Sequence, residues 1–384
     1  MMRSLRWSLW GVGIAGALLG TGQNLETLVN RVSDTPPPKL STDVVRLHNA
    51  SFVADLHADS LLWNRDLSKR SWSGHVDLPR LRIGNVALQV LTTVTRFPVT
   101  ANISRTDPRF PDAITLLAVT NLWPATTWTS LTDRVLYQAS KLDDLAAGDP
   151  HLVRVLRRAD LDRLVTARVS NPDSIGVVLG IEGAHALDRP SALDEVYAAG
   201  VRLIGLAHFF DNDYAGSAHG IAKGGLTPAG RALVARMQRR GIVVDLAHSS
   251  AKTIDDVLAI ADRPVVVSHT GVKATCDNER NLSDDQIRKI AAAGGVLGIG
   301  YWPAAVCGRS ADAIARAIVH AVRMAGVEHV ALGSDFDGAV VTPFDASQLD
   351  FVTQKLVDAG LDDAAVKRVL GQNALEVLRR LLPE

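Results

Sequence analysis

Ala50-Ser-Phe-Val-Ala-Asp-Leu56 runs directly into His57-Ala-Asp59. A short apolar stretch of this kind, without alternation, reads as a strand covered on both faces. Side chains on a strand alternate with period two, so His57 and Asp59 point to one side at its end. The arrangement recurs along the chain. Ile175 to Ile181 leads into Glu182, Ile242 to Ala247 into His248, Val265 to Ser268 into His269, and Val330 to Ser334 into Asp335. In a barrel of parallel strands such positions converge on one mouth, where barrels of this type keep their chemistry.

The rest of the chain supports that closure. Candidate strands are Ser51 to Leu56, Val86 to Thr92, Ile175 to Ile181, Arg202 to Ala207, Ile242 to Ala247, Val265 to Ser268, Val296 to Tyr301 and Val330 to Gly333. Helical patterns fall between them, at Pro228 to Arg240, Ala251 to Ala261, Ser283 to Ala293 and Ala311 to Ala325, and Gly241, Gly294 and Gly326 mark helix stops. Eight strand–helix units predict a (β/α)8 TIM barrel. The stretch from Thr93 to Ser174 is too long for one crossover and predicts a helical insertion after the second strand, including helices over Ile114 to Trp123 and Asp133 to Ala147. Residues 45–384 read as one barrel domain and 23–44 as a linker.

Composition fits one large enzyme domain. Of 384 residues 47% are hydrophobic, and the 41 basic side chains balance the 41 acidic ones, which argues against a nucleic-acid partner. Two cysteines, Cys276 and Cys307, cannot form a disulfide framework. Buried free thiols are the expectation, with a pair in an oxidising compartment as the alternative. Arg3 and Arg6 precede the apolar run Trp7 to Gly20, so 1–22 reads as a signal peptide or an N-terminal membrane anchor. The chain is therefore expected to be exported to the periplasm or beyond, with membrane attachment and a homodimer left open.

His57, Asp59, Glu182, His248 and His269 are hard or borderline ligands of the kind that hold zinc. Five exceed the three protein ligands of a mononuclear catalytic site. A bridging carboxylate between two ions about 3.5–4 Å apart accounts for the surplus. Each residue has a plainer reading alone: Glu182 as a loop carboxylate, either later histidine as a satisfied core residue, Asp335 as a turn former. Their joint recurrence at strand ends outweighs those readings. Asp337, beside Gly338, suits a turn role, and His185 suits support behind the ligands. His75, His151, His219, His320 and His329 lie away from strand ends and read as surface residues.

Taken in order, Asp55-Leu-His57-Ala-Asp59, Gly180-Ile-Glu182-Gly-Ala-His185, Asp245-Leu-Ala-His248, Val267-Ser-His269 and Gly333-Ser-Asp335-Phe-Asp337-Gly338 resemble the membrane (renal) dipeptidases, peptidase family M19. Arg202-Leu-Ile-Gly-Leu-Ala-His208 and Asn278-Glu-Arg280-Asn281-Leu resemble that family too, and the likeness runs from about Ser51 to Leu381. The resemblance implies two zinc ions per chain, one held by His57, Asp59 and Glu182, the other by Glu182, His248 and His269. It implies a bridging hydroxide as nucleophile, and it assigns His208 to the tetrahedral oxyanion. Asp335, at the same mouth, is the candidate to pass a proton to the leaving amine. Arg280 can clamp a carboxylate with its planar fork, which would restrict the enzyme to dipeptides; the resemblance implies that L,D as well as L,L dipeptides are substrates.

Three rivals compete. Another binuclear hydrolase on this barrel, a lactonase or N-acyl amino acid amidohydrolase, often bridges its metals with a carboxylated lysine, yet no lysine ends a predicted strand. A binding protein with a decayed site should have lost ligands, and all are present. An anchored interaction protein should show repeats or exposed apolar helices, and the sequence has neither.

Overall fold

Eight short apolar segments form the strands of a closed parallel barrel in the computed structural model, which describes residues 25–384. They are β1 (Val53–Ala58), β2 (Val86–Val94), β3 (Ile175–Glu182), β4 (Val201–Gly205), β5 (Val243–Asp245), β6 (Val266–Thr270), β7 (Val296–Ile299) and β8 (Val330–Leu332). Each pairs in parallel with the next, and β8 returns to β1 through Leu332 opposite Asp55. Every residue of all eight is buried, which is why their sequences run apolar without alternation. All eight candidate strands and the (β/α)8 class are thus observed.

Helix starts follow capping chemistry. Ser283 and Gln286 close a capping box ahead of Asp284–Ala292, and Thr227 caps Pro228–Arg240, which carries proline in its first turn. Gly241 ends that helix in the left-handed conformation, at φ 69°.

Parity along the strands separates two sets of core residues. One set packs barrel against helices. The other includes Val90, Val178, Leu203, Val243, Val266 and Val296, together with Leu375 and Leu378 of the C-terminal helix Asn373–Leu381. Counting onward in twos carries Val178 to Glu182, Val243 to Asp245 and Val266 to Ser268, so the barrel interior leads directly to the polar mouth. Beneath that mouth the backbones crowd. A Cβ on Gly298 or Gly333 would stand only 2.2 or 2.0 Å from the Ser268 carbonyl oxygen, so this layer admits no side chain from either strand.

The insertion between β2 and β3 contains helices Ala113–Thr120, Leu131–Gly148 and Arg158–Ser170, plus a short strand, Leu152–Arg154, on the edge of β3. The stretch read as linker has structure of its own. Arg31–Val32 pairs with Val341–Thr342, Arg65 Nε donates to Glu26 at 2.6 Å, and helix Thr42–Asn49 crosses residue 45. The N-terminal apolar run, with the expected signal or anchor, lies outside the described residues. Among the described residues no helix is long and apolar enough to cross a membrane.

The cysteine expectation is corrected. Cys276 and Cys307 form a disulfide with Cα atoms 5.1 Å apart. The loops after β6 and β7 meet here, and Asn281 Nδ2 donates across the same junction to the Cys276, Ala304 and Ala305 carbonyls.

Candidate metal centre and substrate cavity

The turns that follow the strands deliver the polar residues. His248 and Asp335 sit at φ 59° and 62°, left-handed conformations that turn each side chain over the barrel end at a conformational cost. His57, Asp59, Glu182, His208, His248, His269, Arg280 and Asp335 are all buried, none more than 8% exposed. Glu182 is at their centre. Its Oε1 lies 2.9 Å from His248 Nε2, 3.4 Å from His269 Nε2 and 3.6 Å from His57 Nε2, while its Oε2 lies 3.1 Å from His208 Nε2. Ligand atoms of His57, Asp59 and Glu182 converge as one potential metal group, and those of Glu182, His208 and His248 as another. His57, His269 and Asp335 make a third.

Hydrogen bonds behind the imidazoles determine which nitrogen faces the centre. The Ser268 hydroxyl donates its proton to Asp245 Oδ2 at 2.6 Å. Toward His57 Nδ1 at 3.1 Å and His269 Nδ1 at 3.0 Å it can then only accept. Both rings therefore hold hydrogen on Nδ1 and turn Nε2 inward. His219 does the same for His248. Its Nδ1 donates to the Ile103 carbonyl at 2.7 Å, so its Nε2 accepts from His248 Nδ1 at 2.9 Å. His248 Nε2 and His269 Nε2, 3.0 Å apart, both direct lone pairs at one point. Two facing lone pairs beside a carboxylate repel unless a cation lies between them, and the set therefore fits a divalent metal.

Burial and mutual charge both act on the ionisable groups of the cluster. Burial opposes charge on His57, yet Asp59, then Glu182 and Asp335, push it up to about 10. Burial, reinforced by Asp59, raises Glu182 well above the usual carboxylate range. Asp335 is pushed up to about 8, chiefly by burial. His208, His248 and His269 are lowered well below the usual histidine value, first by burial and then by neighbouring histidines and, for His248 and His269, Arg280.

Arg280 lies beside this cluster, its guanidinium 5.6 Å from the Trp302 ring centre. Burial pulls it down to about 10, opposed by Asp335 and Glu182. Its Nη2 donates to the His269 carbonyl at 2.8 Å, whereas its buried Nε has no partner among the described residues. A cavity of about 430 Å3 opens over these groups, bordered by Asp59, Glu182, His208, His248, Arg280 and Asp335.

Every residue proposed from sequence for the chemistry thus reaches one mouth. Three plainer readings are corrected. His219 and His75 are buried rather than on the surface: His219 stacks on Phe209 and bonds to the Ile103 carbonyl, and His75 stacks on Phe336. Asp337 is no simple turn residue. Fully buried, it accepts from Ser60 Oγ at 2.6 Å and the His75 backbone at 2.6 Å and pairs with Arg65, tying the β8 turn to the loop after β1. His185 contacts Thr95 at 3.2 Å, and its ring lies parallel to that of His208 with 6.4 Å between centres. Sequence reasoning missed His219, Ser268 and Asp245 as ligand supports. Asp245 and Ser268 were visible inside the quoted motifs, while nothing local marked His219.

Comparison with known proteins agrees with this geometry. A family model described as membrane dipeptidase (peptidase family M19) matches residues 42–382. Dipeptidase verJ of Clonostachys rogersoniana is 34% identical over 232 residues, 56% of this chain and 60% of that protein. Dipeptidase aclJ of Aspergillus oryzae is 35% identical over 219 residues, 54% of this chain and 52% of that protein. The matches therefore span little more than half the length of these curated relatives. Among solved structures, a metallopeptidase from Rhodobacter sphaeroides, liganded with a phosphinate mimic of L-Ala-D-Ala, superposes with TM-score 0.71 at 24% identity, covering 86% of this chain and 99% of that one. A probable dipeptidase, PvdM, from Pseudomonas aeruginosa gives TM-score 0.72 at 20% identity, covering 88% and 98%. At those identities the structural likeness concerns the fold.

Proposed function

The chain belongs to the membrane dipeptidase family, peptidase family M19, and on that premise we propose that it is a zinc-dependent dipeptidase. The observation that carries the reading is the buried Arg280, which borders the same cavity as the donor cluster and whose Nε has no hydrogen-bond partner among the described residues. An unmet buried guanidinium donor next to a hydrolytic metal site calls for a carboxylate, and a dipeptide supplies one a single residue beyond its scissile bond.

His57, Asp59 and Glu182 would hold one zinc, and Glu182, His248 and His269 the other. When bound, the two ions supply Lewis acidity and an activated water at neutral pH. The protein's own groups do the rest. Arg280 fixes the substrate carboxylate and so the register of the peptide bond. His208, hydrogen-bonded through Nδ1 to the Arg96 carbonyl at 3.4 Å, donates to the oxygen that becomes negative in the transition state. Asp335 holds a proton and delivers it to the leaving amine. Dipeptides of L,L and L,D configuration are the proposed substrates. The Cys276–Cys307 bond supports export to an oxidising compartment, periplasmic or extracellular, by way of the N-terminal segment.

Elemental analysis together with hydrolysis of an L,L and L,D dipeptide panel, before and after chelation, tests the reading. About two zinc ions per chain and chelator-sensitive cleavage are expected. Bound metal without cleavage of any dipeptide would move the reaction to another amide or lactone.

A further inference from the structure

The metal donors and Arg280 occupy only part of the 430 Å3 cavity. In the closed strand order β2 and β6 stand diametrically opposite. Arg280 follows β6, so it faces across the mouth the elements that follow β1 and β2. Those elements present an apolar wall: Leu62 and Trp63 after β1, Val94 at the end of β2, and Ile114 and Leu117 from the insertion helix. The acidic residues that line the cavity are Asp59, Glu182 and Asp335, all within the donor cluster, and none belongs to this wall.

The wall is built before substrate arrives. Asp112 caps helix Ala113–Thr120 by accepting from the Ile114 and Thr115 backbones. Arg134, almost wholly buried, donates to Asp112 Oδ2 at 2.5 Å, Thr115 Oγ1 at 2.6 Å and the Thr127 carbonyl at 2.6 Å. A helix held this firmly offers a preformed apolar surface at little ordering cost.

We propose that this wall is the subsite for the N-terminal residue of the dipeptide and selects bulky apolar side chains there. The inference rests on the Arg280 clamp: with the substrate carboxylate at Arg280 and the scissile bond over the donor cluster, the N-terminal residue extends toward β1 and β2. An aliphatic or aromatic side chain loses water against Leu62, Ile114 and Leu117. A charged one would be stripped of water with no counter-charge on that side. Specificity thus lies partly in the insertion, which the barrel itself does not require.

The test uses the full zinc-loaded chain and compares kcat/KM for Xaa-Gly dipeptides, with Gly, Ala, Leu, Phe, Asp and Lys as Xaa. Leu-Gly and Phe-Gly are expected to exceed Gly-Gly by at least about 10-fold, the scale on which an apolar pocket senses missing methylenes. Asp-Gly and Lys-Gly should fall below Gly-Gly. Leu117→Asp should collapse the Phe-Gly to Gly-Gly ratio, and Leu117→Ala, which keeps the helix, should reduce it in the same direction. A flat or inverted profile with cleavage intact would overturn the subsite while leaving the dipeptidase reading in place. Metal-loaded protein that cleaves none of the panel would remove that reading and this inference together.

Discussion

His219 Nε2 lies 2.9 Å from His248 Nδ1, and both rings are buried. With the Ile103 carbonyl accepting from its other nitrogen, His219 holds His248 in the tautomer whose Nε2 faces Glu182. Loss of such a support typically lowers metal affinity about 10–100-fold. His219→Ala should therefore release zinc at correspondingly lower chelator concentration, and His219→Gln, whose amide oxygen can accept the same proton, should recover part of the loss. Unchanged affinity in His219→Ala would show that the contact does not orient His248.

His248→Ala should retain about one zinc per chain by elemental analysis and lose nearly all hydrolysis. Two full equivalents in this variant would refute the proposed division of ligands.

Arg280→Ala should keep its zinc and lose substrate affinity. Removing one partner of a buried charged pair costs on the order of 3 kcal/mol, so kcat/KM should drop at least about 100-fold, mainly through KM. Arg280→Lys should recover little, because an ammonium lacks the planar fork. Zinc loss in Arg280→Ala would make the residue structural.

The disulfide staples the Arg280 loop to the loop carrying Trp302. Cross-linking residues 31 apart contributes up to about 4 kcal/mol by constraining the unfolded chain. Cys276→Ser with Cys307→Ser should lower the unfolding midpoint and raise KM at unchanged zinc content. A KM equal to that of the oxidised protein would mean that Asn278 and Asn281 alone position the clamp.

Lys141 is half-buried in the insertion, donating to the Leu61 and Trp63 carbonyls at 2.6 Å each. Burial, with Arg65 adding to it, lowers Lys141 to about 7 from an ordinary 10.5. Between those values the unfolded chain binds the proton that the folded chain releases, so stability should rise with pH across that window. The slope for one proton is at most about 1.4 kcal/mol per pH unit. Denaturant unfolding at pH 7, 8 and 9 should show it, and Lys141→Met should remove it. Parallel curves for the two proteins would mean that Lys141 stays protonated throughout.

The barrel was legible because burial on both faces leaves a simple mark: eight apolar runs without alternation, each ending in a turn. The ligand set was legible for the same reason, since Glu182, His248, His269 and Asp335 directly follow such runs. His219 was not. It reaches His248 from a loop whose local sequence, Gly216-Ser-Ala-His-Gly220, reads as surface, and tertiary contacts with Phe209, 4.3 Å away, Ile103 and His248 enclose it. Asp337 was misread because Asp-Gly is a common turn pair, while its partner Arg65 lies 272 residues away. The disulfide depends on where two loops meet, which spacing alone cannot give.

Ser268 has one hydroxyl and two histidines leaning on it, His57 from one proposed ion site and His269 from the other. The two sites therefore share an orienting group as well as the Glu182 carboxylate. Ion occupancy at the two proposed sites is thus linked through Ser268 and Glu182 together. Because thermodynamic coupling is reciprocal, any change that strengthens this linkage for one ion must do so by the same factor for the other.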